Sequence, residues 1–156
     1  MTQDSLTYLR KELQLLDNEE LQEVCMRLAR HKLENKELLY YLLVGSRDED
    51  AYIAKAKADI EEAFDAMNVT SAYYANKSMR KALRIADKFI KYSKNPITEV
   101  ELLMCYMQKL KHSGVQIRKS NVLAKLRIRV LTRIERAMEK LHEDLQFDYS
   151  ERLKLL

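Results

Sequence analysis

At 156 residues the chain has the length of one compact domain and can bury a core without disulfides or metal. Apolar residues at 47% and charged residues at 33% argue against disorder, and two glycines with one proline argue against a sheet protein rich in tight turns. The net charge of +4 hides a division: nine Lys and Arg face fifteen Asp and Glu over residues 1–68, seventeen face five over 69–140, and two face four over 141–156.

The opening MTQDSLTYLRKELQLLDNEE is polar and amphipathic, without the continuous apolar segment of a secretory leader. The longest apolar run, 38–44, falls far short of the ~20 residues that span a bilayer. Cys25 and Cys105 both sit among apolar helical neighbours, so the expectation is two core-packed, reduced thiols in a cytoplasmic protein that does not engage a membrane.

Seven to eight helices follow in chain order. The first covers 5–16, with Leu6, Leu9, Leu13 and Leu16 on one stripe. Asp17 caps the second, with Glu20 completing a capping box, and Leu21, Val24, Cys25 and Leu28 form its inner face. Asn35 is expected to cap the third, whose ELLYYLLV is apolar nearly all round and reads as buried on several sides. Gly45 is expected to close it in a left-handed conformation. The fourth opens in the acidic SRDED and runs to about Met67, with Tyr52, Ala56, Ile60, Phe64 and Met67 inward. Thr70 or Ser71 opens the fifth, and Asn95-Pro96 provides cap and first residue of the sixth, which Gly114 ends. The seventh runs from near Ser120 to about Leu145, and Asp148 or Ser150 caps a short last helix. Glu37–Leu39 and Glu101–Leu103 each lie in an apolar helix that a glycine ends, which suggests a faint repeat of about sixty residues. The whole reads as one all-α domain of stacked helical hairpins, either a short α-solenoid or an irregular bundle. In pattern alone it loosely resembles HEAT-type helical repeats, and that likeness implies no function.

Charge marks the fifth and seventh helices. On a helical wheel Met79, Ala82, Leu83, Ala86, Phe89 and Ile90 form the core stripe of the fifth, while Lys77, Arg80, Lys81, Arg84, Lys88 and Lys91 fill the opposite arc. Tyr73 lies in that arc one turn before Lys77, and only Asp87 approaches it. In the seventh, Lys125, Arg129, Arg133, Arg136 and Lys140 repeat the arrangement opposite Leu123, Val130, Leu131, Ile134, Met138, Leu141 and Leu145. A charge run is by default the solvated side of an amphipathic helix, but such sides usually interleave Glu with Lys, because like charges one turn apart repel. Two helices with the same uncompensated bias point to a polyanion-binding surface.

Other patterns carry less. Arg127 falls in the apolar stripe of the seventh helix. Either its stem packs and its head reaches the edge, or it lines a pocket for an anionic ligand, with Glu101 as an alternative structural partner. Glu139 and His142 match one Glu-x-x-His step, but di-iron bundles need that step twice, so no metal is expected. His31, His112 and His142 fall near predicted helix C-termini, where the dipole favours an imidazolium. Tyr73, Tyr74 and Tyr92 either border the core or stand exposed for stacking on bases. No Gly-rich phosphate loop and no Ser-His-Asp arrangement can be read.

These observations make the expected protein a non-catalytic interaction module without cofactor, whose basic face engages nucleic acid or an acidic protein. The alternative is a protein–protein scaffold working through its apolar or acidic N-terminal half. Its acidic and basic halves also give it a route to self-association.

Overall fold

The structure, a computed structural model, describes residues 5–115 and 119–156. It is all-α: 82% helical, with eight α-helices packed on one another and no strand among the described residues. The chain clusters into two compact units, Met1–Val44 and Gly45–Leu156.

The first unit holds α1 (Leu6–Leu13), α2 (Asn18–His31) and α3 (Leu33–Leu43). Ser5 caps α1 by accepting from the Tyr8 amide, so this helix starts where expected and ends one turn early. Both arms of the capping box at α2 form: Asp17 Oδ1 accepts from the Glu20 amide at 2.8 Å, and Glu20 Oε2 from the Asp17 amide at 2.9 Å.

Four expectations for α2, α3 and the turn that follows them fail. Asn35 is not a cap; Lys32, in extended conformation, separates α2 from α3, and Asn35 Nδ2 instead donates to the Leu28 carbonyl across that joint at 2.8 Å. Gly45 is not left-handed, because the chain passes directly into a single 3₁₀ turn, Gly45–Arg47, built on ordinary negative φ. Nor is α3 enclosed. Tyr41 is buried, but Leu33, Tyr40 and Leu43 are 69%, 60% and 54% exposed. Cys25 of α2 is likewise exposed rather than core-packed.

The second unit holds α4 (Glu49–Asp65), α5 (Ala72–Ser93), α6 (Pro96–His112), α7 (Asn121–Met138) and α8 (Glu143–Leu153). Asp48, Ser71, Asn95 and Ser120 cap the first four through their side chains, with Pro96 in the first turn of α6. The centre is α6, against which α4, α5 and α7 all pack. Val100, Leu102, Leu103, Tyr106 and Leu110 are fully enclosed there, which its all-round apolar sequence requires. The inward stripe of α4 also holds, except that Met67 lies beyond the helix and is half-buried.

Buried polar groups fasten these helices. The Tyr52 and Tyr106 hydroxyls donate to the Phe89 and Met79 carbonyls of α5 at 3.0 and 3.1 Å. At the start of α4, Glu49 Oε1 accepts from Ser93 Oγ and from Oγ1 of the fully buried Thr98. Cys105 is buried in the core as expected, and that burial pushes its thiol pKa up.

Gly114, at φ 75°, follows α6 in the left-handed conformation expected. The end of α5 is closed differently: Lys94 itself adopts φ 54°. The predicted seventh helix is in fact two, since α7 stops at Met138 and His142, not Asp148 or Ser150, caps α8. His142 Nδ1 accepts from the Asp144 amide, so it stands at a helix N-terminus rather than a C-terminus. Glu139 and His142 fall on either side of the break, so no helical Glu-x-x-His step exists. The two glycine-terminated segments differ in both closure and burial, α6 being enclosed and α3 largely exposed.

Candidate functional site: a cationic face across two helices

A two-residue joint connects α5 to α6, and α6 leads on to α7, so α5 and α7 both lie against α6. The pairs that meet show that they run in the same direction. Arg80 of α5 lies beside Lys125 and Arg129 of α7, and further along Asp87 meets Arg133.

Arg80 is the junction of the two predicted faces. A concavity of about 420 Å³ on α5 is lined by Tyr73, Asn76, Lys77, Arg80 and Arg84. A neighbouring concavity of about 420 Å³ is lined by Arg80, Val122, Lys125, Leu126 and Arg129. The lining of neither contains a carboxylate. Lys77, Arg80, Lys81, Arg84, Lys125 and Arg129 are all exposed, and none is paired with an acid among the described residues. Helical periodicity explains the arrangement, because the enclosed Met79, Ala82 and Leu83 turn the cations outward on α5, as Leu123, Leu126 and Val130 do on α7.

The remaining cations divide. Lys91, Arg136 and Lys140 are exposed, Lys140 lying just past the end of α7. Lys88 is half-buried, its ammonium 5.5 Å from the centre of the Phe89 ring. Arg133 does not belong to the open face. Its Nη1 lies 2.7 Å from Asp87 Oδ1 and its Nη2 3.5 Å from Glu99 Oε1, which ties α7 to α5 and α6. The wheel showed Asp87 near the cations, but not that it would claim one from another helix.

Arg127 lines neither concavity. It is half-buried, and its Nη2 donates to the Leu156 carbonyl at 3.3 Å, while Lys111 Nζ donates to the Leu155 carbonyl at 2.7 Å. Glu101, its other candidate partner, is held by Lys57 at 2.5 Å, Tyr149 at 2.9 Å and Arg152 at 2.6 Å.

Of the three tyrosines, Tyr92 is buried, whereas Tyr73 and Tyr74 are exposed at the start of α5. Their rings meet edge to face, 5.3 Å between centroids and 76° between planes. Sequence reasoning missed Asn76, Val122 and Leu126 as part of this surface. Asn76 carried a signal, standing one turn before Arg80; the two apolar residues look like ordinary core from the sequence.

No protein-family model, curated protein or solved structure matches this chain. No described helix is long and apolar enough to cross a membrane.

Proposed function

We propose that this protein is a non-catalytic interaction module whose α5–α7 face binds a polyanion, with nucleic acid as the ligand. The supporting observation is Arg80 standing in two adjacent concavities that together hold five cations and no carboxylate. Such clustering costs little stability, about 0.2–0.5 kcal/mol per like pair, and concentrates positive potential where a phosphate backbone can lie.

Binding of labelled random-sequence duplex and single strands across a salt series tests this. Six phosphate contacts predict roughly a thousandfold loss of duplex affinity between about 50 and 200 mM salt. Arg80→Ala lowers the slope by about one contact. Arg133→Ala lowers thermal stability and leaves the slope unchanged, since Asp87 and Glu99 already occupy that guanidinium. Weak binding that does not respond to salt overturns the proposal.

A second reading is favoured by a separate observation, the exposure of Leu33, Tyr40 and Leu43 on the most apolar helix of the first unit. On this reading the chain self-associates, with a second copy covering α3. Sedimentation of the whole chain tests it.

A further inference from the structure

Building on the reading of the α5–α7 face as a polyanion surface, we propose that the concavity around Tyr73 is a base-stacking site, which makes single-stranded nucleic acid the ligand. Tyr73 is 69% exposed, more than any other tyrosine described. Its ring meets that of Tyr74 edge to face, a contact that occupies at most one of its two faces. Arg80 and Arg84 stand in the same concavity, with Lys77 one turn above the ring. From Tyr73 to Arg84 the helix rises about 16 Å, so one ring precedes a row of three cations along a single groove.

A π face beside a cationic row is the pairing that holds a base together with its neighbouring phosphates. Polyphosphate and acidic peptides offer charge without a planar base to stack. In a duplex the base faces are already stacked on one another. Only an unpaired strand satisfies both the ring and the cations. Asn76 stands in the same wall.

The experiment compares Tyr73→Leu and Tyr73→Phe with the unaltered protein, using a mixed-sequence single strand, the matching duplex and inorganic polyphosphate as probes. Circular dichroism checks that each variant is folded. The expected result is a roughly 5- to 150-fold loss of single-strand affinity for Tyr73→Leu, the range of one base–aromatic stack, and retention for Tyr73→Phe. The salt slope and the affinity for polyphosphate stay unchanged, because charge is untouched. Salt-dependent binding that Tyr73→Leu leaves intact, or weakens equally for single strand and polyphosphate, overturns the stacking site while the cationic face stands. Absence of salt-dependent binding to all three probes overturns the cationic face itself.

Discussion

Lys57, Tyr149 and Arg152 reach the Glu101 carboxylate from α4 and α8, and their convergence makes one side chain a joint for three helices. Burial pushes this carboxyl pKa up, but hydrogen bonds from Arg152, Lys57 and Tyr149 outweigh it and hold the group at about 2. The same site pushes the Tyr149 hydroxyl up to about 12, through burial and then its bond to Glu101. A carboxylate with a depressed folded pKa contributes stability above its unfolded pKa and loses it as pH falls through the folded value. Glu101→Gln therefore costs about 3 kcal/mol at pH 7. In denaturant titrations at stepped pH, the gap between the two proteins narrows below about pH 4.5 and closes near pH 2. A gap that does not change with pH would show that the carboxylate's charge contributes nothing. None of these partnerships was legible in the sequence, where Glu101 stood equally well opposite Arg127; its partners lie 44 to 51 positions away.

The elements were legible where their signals are local. The capping box at Asp17, the Ser71 cap and the Asn95-Pro96 start all act within four residues, and each forms as expected. The break between α7 and α8 was not legible, because Leu141 and Leu145 continue the apolar spacing across it and no glycine or proline marks it. The end of α5 went unread for a similar reason: the left-handed residue there is Lys94, a type that gives no sign of the conformation. A side chain at positive φ is strained in a way glycine is not. Lys94→Gly is thus expected to stabilise the protein by about 0.5–1 kcal/mol, read as a higher denaturation midpoint at unchanged m-value. A lower midpoint would mean that the glycine's backbone entropy outweighs the relieved strain.

At the scale of the whole molecule, the second unit exposes a cationic face and the first an apolar helix. In the first unit Ala29 and Tyr41 are the buried apolar side chains among the described residues, which is little for a segment near the lower size limit of independent folding. Pairing of α3 with α3 of a second copy predicts a mass in sedimentation that rises with concentration and barely responds to salt. Leu43→Lys weakens this association at least tenfold, the scale of about 1.5–3 kcal/mol for burying one leucine. Association that salt dissolves would instead indicate acidic halves meeting basic ones. A mass that stays at one chain throughout removes both forms of self-association.

The sequence by itself determined that the chain is helical, where most helices begin, and which arc of α5 and α7 carries the cations, because each of these follows from residues within a turn or two of one another. Only the tertiary structure decided which cations stay free. Arg80 and Arg133 have the same place in the pattern, yet one opens onto two concavities and the other is bound by Asp87 and Glu99. It also decided which apolar helix is enclosed: α6 is packed by α4, α5 and α7, whereas α3, also rich in apolar residues, packs on α2 and stays largely exposed. Pairing and burial depend on neighbours across the fold, and spacing along one helix carries no record of them.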